Sequence, residues 1–151
     1  MSGKQSSAIR TLVRWRAFQE ALAERERQQT SAREARAKSS LDEAETVAAA
    51  IRSRRDELLG ARSIDLGVLQ AIGEFERIAA DDVQTRAEVL NDARRENEEA
   101  VSAHMQARSR SRVAETRLDR VVAQERDLDE KRLFDRMASL IAAGAMEKKH
   151  D

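Results

Sequence analysis

The sequence contains neither proline nor cysteine, and aromatic residues make up only 3% of its 151 residues. Without proline nothing forces a helix to end, and without cysteine there is no disulfide framework or thiolate metal site, which fits a reducing compartment. No segment approaches the roughly 18 uncharged apolar residues of a membrane span, and the start lacks the apolar region of a signal peptide. We therefore expect a soluble, cytoplasmic protein without direct membrane insertion.

What the sequence does contain is charge and helix-forming residues. Asp, Glu, Lys and Arg make up 37% of the chain, and the 28 basic residues equal the 28 acidic ones. This balance favours neither nucleic acid nor an acidic membrane as a bulk partner. Abundant Ala, Glu, Arg and Leu without proline are typical of a coiled coil.

The second half carries a regular heptad pattern, in which every third or fourth residue faces a partner helix. Most of its positions are apolar and its phase does not slip, which predicts one long helix with a continuous stripe against its partner. The positions are Leu69, Ile72, Glu76, Ala79, Val83, Arg86, Leu90, Ala93, Asn97, Ala100, His104, Ala107, Ser111, Ala114, Leu118, Val121, Glu125 and Leu128. Beyond Leu128 the apolar residues change phase, as at a stutter.

The first half is less regular. A heptad is clear at Leu41, Ala44, Ala48, Ile51, Arg55 and Leu58, and a broader apolar face precedes it at Ile9, Leu12, Val13, Trp15, Phe18 and Leu22. The stretch between them, "ERERQQTSAREARAKSS", is nearly all polar residues and alanine, so we expect a loosely packed middle. Trp15 is interpreted as a buried residue holding the first helix, with an exposed partner anchor as the alternative.

The segment "LLGARSIDLGVL" is the only plausible break. Gly60 can adopt the left-handed conformation that ends a helix, Ser63 or Asp65 can cap the next helix, and Gly67 fits either a loop or a first turn. We predict an elongated, antiparallel, all-α two-helix coiled-coil hairpin with a longer C-terminal helix. It forms a single domain over residues 1–151: helix one at about 6–59, the turn at about 60–66, helix two at about 67–142, and a frayed tail at 143–151.

Unequal helices leave one end unpaired. If the turn centres near Ser63, Ile9 lies opposite about residue 117, and everything after Leu118 extends past its partner. That extension keeps apolar residues, which indicates a stripe retained for another protein.

Catalytic and metal-binding interpretations are weak. A two-helix rod has no dry pocket, so no enzymatic activity and no cofactor are expected. His104 lies at a heptad position, where it is interpreted as a polar residue that sets the register, and His150 lies in the predicted tail. The acidic run after the turn is interpreted as a solvated face. In "ARSRSRVAE" the arginines alternate around the helix, so nucleic-acid binding is not expected.

The layout resembles the FliJ/YscO/HrpO family of type III secretion export-ATPase stalk proteins, of flagellar or injectisome systems. The resemblance lies in the start "IRTLVRWRAFQEALAERE", the shorter first helix, the turn near residue 60 and the charged segment "AETRLDRVVAQERDLDEKRLFDRMA". It implies a non-enzymatic, monomeric central stalk whose paired termini enter the hexameric export ATPase and promote its assembly and activity. It also implies contacts with the cytoplasmic domain of the export-gate membrane protein and with secretion chaperones.

The resemblance implies two sets of contact residues. Residues expected to contact the ATPase ring are Arg10, Arg14, Arg117, Arg120, Arg126, Leu128, Lys131 and Phe134. Residues expected to contact the export gate are Leu41, Ile72 and Ala79, which also fit an ordinary helix-packing role. The alternatives are a self-assembling structural coiled coil or adaptor, and, with less support, a helical nucleic-acid binder.

Overall fold

The computed structural model describes residues 2–147 and the side chains of residues 5–144. Helix α1 spans Ser2–Leu59 and helix α2 spans Leu66–Glu147, and every described residue outside these helices belongs to the short turn between them. The predicted all-α two-helix hairpin with a longer C-terminal helix is therefore confirmed.

The turn shows which residue caps α2. The Asp65 carboxylate Oδ1 accepts hydrogen bonds from the backbone N–H groups of Gly67, at 2.9 Å, and Val68, at 3.3 Å. These donors have no partner within the helix, so Asp65 is the N-cap and Gly67 lies in the first helical turn. The left-handed conformation expected of Gly60 is not present: its φ is not positive, and its N–H still bonds to the Asp56 carbonyl at 3.1 Å.

Both helices are longer than predicted. Helix α1 begins at Ser2 rather than at about residue 6, and α2 continues to Glu147 rather than ending at about 142. No proline stands at either end, and alanines flank Gly144, so local propensity does not stop the helix. Residues 143–147 of the predicted frayed tail are thus helical. Residues 148–151, with His150, lie outside the described residues.

The chain divides into two compact units. The turn unit consists of Leu22–Met105, and the terminal unit consists of Met1–Ala21 and Gln106–Asp151. Each unit contains a part of both helices, and the single-domain interpretation stays a prediction.

The predicted heptad of α2 describes its packed stripe accurately. Every predicted position from Leu69 to Glu125 is buried or half-buried, whereas Leu128 is exposed. We call this stripe and its counterpart on α1 the seam. The α1 seam is also regular, and its members are Ser6, Ile9, Val13, Arg16, Glu20, Ala23, Arg27, Thr30, Glu34, Ala37, Leu41, Ala44, Ala48, Ile51, Arg55 and Leu58.

The sole tryptophan lies outside this seam. Trp15 and Phe18 are each 53% exposed, and their ring centroids lie 5.9 Å apart. The interpretation of Trp15 as a buried residue is therefore wrong. The α1 heptad passes through Val13 and Arg16, and one residue corresponds to a rotation of about 100°, so Trp15 is carried to the flank of the helix pair.

Alanine supplies most of the buried apolar residues in the seam of the turn unit. Ala44, Ala48 and Ala79 are buried, and the larger apolar side chains buried beside them are Ile72 and Leu90. Alanine lets two helices approach closely but buries little apolar area. Much of the apolar stabilisation of this unit therefore depends on a few larger residues.

The middle of the seam contains hydrogen bonds between the two helices, and the expectation that it is loosely packed stays a prediction. Thr30 Oγ1 donates to Asn97 Oδ1 at 3.1 Å, and Asn97 Nδ2 donates to Glu34 Oε2 at 2.7 Å. Glu34 also lies 3.6 Å from Arg94, measured from Oε1 to Nε. Thr30 is only 3% exposed, and its polar group has partners. These polar contacts fix which residues of α1 and α2 face each other.

The Glu24 carboxylate accepts three hydrogen bonds from side chains of α1. Arg27 donates to both of its oxygens at 2.8 Å, Gln28 donates to Oε1 at 3.0 Å, and His104 Nε2 lies 3.3 Å from Oε2 across the seam. The hydrogen bonds from Arg27 and then from Gln28 stabilise the charged form and lower the pKa of Glu24 from 4.5 to about 2.

Acid should therefore weaken the hairpin partly through Glu24. Because its pKa is lower in the folded than in the unfolded chain, its contribution is present above pH 4.5 and is lost as the pH falls toward about 2. Thermal unfolding followed by circular dichroism at pH 6 and pH 3 should show a smaller loss of Tm in Glu24→Gln than in the unmodified protein. Glu45→Gln, at an exposed carboxylate without a hydrogen bond or ion pair among the described residues, should behave like the unmodified protein. Equal losses in all three proteins would contradict the role of Glu24.

Candidate partner-binding site

The unpaired part of α2 begins after Glu125. Leu118, Val121, Val122 and Glu125 are half-buried, whereas every residue from 126 to 144 is exposed. The prediction that everything after Leu118 is unpaired is therefore corrected. Helix α1 begins at Ser2, about one turn before its predicted start, and so covers more of α2 than expected. We call residues 126–144 the overhang, and its length as a helix is about 30 Å.

The overhang presents an apolar stripe. Leu133, Met137 and Leu140 follow the alternating spacing of a coiled-coil face, and Phe134 and Ile141 widen that face on one side. These five side chains are 53–73% exposed. A stripe of this width normally packs against another element.

Charged residues surround the stripe. Within the overhang, Arg132 Nη1 lies 3.4 Å from Asp129 Oδ1, a pair one helical turn apart. An exposed pair of this kind contributes little to stability. These charged side chains therefore add little to the stability of the helix. Their role fits solubility and electrostatic complementarity to a partner better.

The residues predicted to contact an ATPase ring all belong to the terminal unit and are all exposed. None of their cations forms an ion pair with a described carboxylate. These residues are Arg10, Arg14, Arg117, Arg120, Arg126, Leu128, Lys131 and Phe134. The set is thus free to meet acidic and apolar groups of another protein.

The residues predicted to contact an export gate lie elsewhere. Leu41 is half-buried, and Ile72 and Ala79 are 9% and 8% exposed, all at seam positions of the turn unit. Their side chains pack against the facing helix, so a closed hairpin does not offer them to a partner.

The turn unit also has exposed apolar residues that were not among the predicted contact residues. Leu66 is 76% exposed, Phe75 is 59% exposed and Ile78 is 55% exposed. Phe75 and Ile78 are three residues apart and lie outside the seam heptad. A search for a second stripe with helical spacing would have found them.

Neither a metal centre nor a membrane span is evident in the part of the chain that the structure describes. No group of three or more His, Cys, Asp or Glu residues among these residues is arranged to hold a metal ion. Across the same residues, neither helix contains a stretch that is both long and apolar enough to cross a bilayer.

Comparison with known proteins gives no relative: no family model, no curated protein and no solved structure matches this chain. The resemblance to the FliJ/YscO/HrpO family stays a prediction. The exposed overhang and the cations near it are the features that define the candidate site.

Proposed function

We propose that this protein is the non-enzymatic central stalk of a type III protein export apparatus. In this proposal the paired termini enter the hexameric export ATPase in the cytoplasm and promote its assembly and activity. The other end of the hairpin contacts the export gate, and the stalk also receives secretion chaperones. The exposed overhang is the observation that carries the proposal.

The overhang supports the proposal because it is a long, narrow helix with exposed apolar and charged side chains. A single helix about 30 Å long and roughly 10–12 Å wide suits insertion into the central opening of a ring. Phe134, at 70% exposed, provides an aromatic anchor of the type that dominates interface energies. Unpaired arginines on both helices of the terminal unit suit acidic loops around that opening.

The turn unit offers a surface for the export gate. The proposed contact uses the exposed Leu66, Phe75 and Ile78 rather than the seam residues first expected. This choice follows from accessibility, since a docking partner reaches exposed side chains without opening the hairpin.

A second candidate function is self-assembly through the overhang. The heptad spacing of Leu133, Met137 and Leu140 favours it, because the same stripe can pair with another coiled-coil helix. Light scattering separates the candidates: a stable dimer that is lost when the overhang is removed supports self-assembly, and a monomer at all concentrations supports the stalk.

The direct test of the stalk is stimulation of the export ATPase from the same organism. The purified protein should increase ATP hydrolysis by the hexamer, saturating near one stalk per ring. Phe134→Ala should raise the half-saturating concentration by about 10–30-fold, as expected for loss of an aromatic anchor. Phe75→Ala, at a similarly exposed aromatic of the turn unit, should leave stimulation unchanged. Absence of any stimulation by the unmodified protein would refute the proposal.

A further inference from the structure

The terminal unit contains a small groove on one flank of its helix pair. It has a volume of about 210 Å³ and is lined by Leu12, Arg16, Ser109, Arg110, Val113, Ala114 and Arg117. Ser111 and Ala114 are the buried seam residues here, and their small side chains leave a recess between the helices. The volume is below the roughly 300–1,000 Å³ of small-molecule sites, so it suits one inserted side chain rather than a cofactor.

The groove has an apolar floor and a basic rim. Leu12, Val113 and Ala114 supply the apolar surface, and Val113 is 66% exposed. Arg110 and Arg117 lie two helical turns apart on the same face of α2, on either side of Val113 and Ala114. Both are exposed and have no ion-pair or hydrogen-bond partner among the described residues.

The surroundings of the groove are also basic and unpaired. Residues 5–21 and 106–120 contain eight arginines against three carboxylates. Ion pairs among the described residues lie instead in the turn unit, apart from the single pair in the overhang. The arginines of residues 5–21 and 106–120 therefore form no ion pair with a described carboxylate.

The exposed aromatic pair lies beside the groove. Trp15 follows Leu12 by three residues, so the two are neighbours on the surface of α1. Trp15 and Phe18 pack on each other yet remain about half exposed. Exposed aromatics next to arginines are the residue types enriched where proteins bind each other.

We propose that this groove binds a short acidic peptide segment of another protein, which inserts one apolar side chain between Arg110 and Arg117 and places carboxylates on these arginines. Charge complementarity selects this occupant. A nucleic acid is less suited, because the floor of the groove is apolar and none of the residues that line it is an aromatic on which a base could stack. The inference concerns the groove alone and does not depend on the stalk function.

The test is selection from a random dodecapeptide display library with the full chain as bait. Enriched peptides should combine one large apolar residue with neighbouring Asp or Glu. A synthetic peptide of the enriched sequence should change the fluorescence of Trp15, the only tryptophan in the chain. The readout requires no ATPase, so its outcome is separate from that of the stalk proposal.

Matched variants make the test specific. Arg110→Glu and Val113→Asp change exposed groove residues, and each should weaken peptide binding by at least about tenfold. Arg112→Glu makes the same charge change at an exposed arginine on the opposite side of α2, and it should retain binding. Circular dichroism should show the same helicity in all of these proteins.

Several results would overturn the proposal. These are a library without acidic enrichment, peptides that bind Arg110→Glu as well as the unmodified protein, and a 20-nucleotide oligo(dT) that changes Trp15 fluorescence when the peptide does not. A dimer that dissociates in Arg110→Glu would also overturn it, because a second copy of this chain would then occupy the groove.

Discussion

Removal of residues 126–151 is expected to abolish stimulation of the export ATPase while leaving the rest of the hairpin folded. The side chains of the overhang are exposed throughout residues 126–144, so their loss removes little buried surface. The free energy of unfolding should change by no more than about 0.5 kcal/mol, in line with changes at surface positions. Urea denaturation and ATP hydrolysis, measured on the same preparation, test both halves of this expectation.

The position of the cut is part of the prediction. A protein ending at Leu118 would also lose Val121, Val122 and Glu125, which are half-buried. It should therefore be less stable than the protein ending at Glu125. Stimulation retained by the protein ending at Glu125 would refute the overhang as the ATPase-binding element, and a large loss of its stability would show that the overhang is packed.

Replacement of Leu90 by alanine is expected to lower the free energy of unfolding by about 3 kcal/mol. Leu90 is 4% exposed in a seam whose buried apolar residues are mostly alanine, so few neighbouring side chains can move to fill the cavity. A loss of this size is a large share of the stability of a domain this small. Urea denaturation followed by circular dichroism at 222 nm measures it.

Val89→Ala is the matched control for Leu90→Ala. Val89 is the preceding residue but is 54% exposed, so its truncation should change the free energy of unfolding by less than about 0.5 kcal/mol. Similar losses in the two variants would mean that the α2 heptad is not the packed face of the hairpin.

The sequence predicted the fold because the periodic features of this chain are strong. A heptad without a phase slip places every third or fourth α2 residue from Leu69 to Glu125 on the packed face, and the structure confirms each of these heptad positions. The turn was found for a similar reason, since glycine and capping residues interrupt an otherwise uniform helical pattern. Asp65 was one of two predicted caps.

The exposure of Trp15 and the start of the overhang depend on how the two helices pair, and the sequence does not specify that pairing. Hydrophobicity alone predicts a buried Trp15, whereas the α1 heptad passes through polar residues such as Arg16 and Glu20 and leaves Trp15 exposed. The start of the overhang depends on where α1 begins, and helix ends are the least certain part of a sequence pattern.

The candidate site was predictable in outline only. Unequal helix lengths predicted an unpaired end of α2, and its charged and apolar residues could be named from the sequence. The hydrogen bonds of Asn97 with Thr30 and Glu34, and the groove between Leu12 and Val113, depend on the register of the two helices. The register of α1 against α2 is seen only in the structure.

Hydrogen–deuterium exchange of the purified protein, alone and with the hexameric export ATPase, tests the central claim most directly. Residues 126–144 should exchange faster than residues 86–104 in the free protein, because only the latter belong to the packed seam. Addition of the ATPase should slow exchange in residues 126–144 and leave residues 86–104 unchanged. Slow exchange of residues 126–144 in the free protein, or no change on adding the ATPase, would contradict the account.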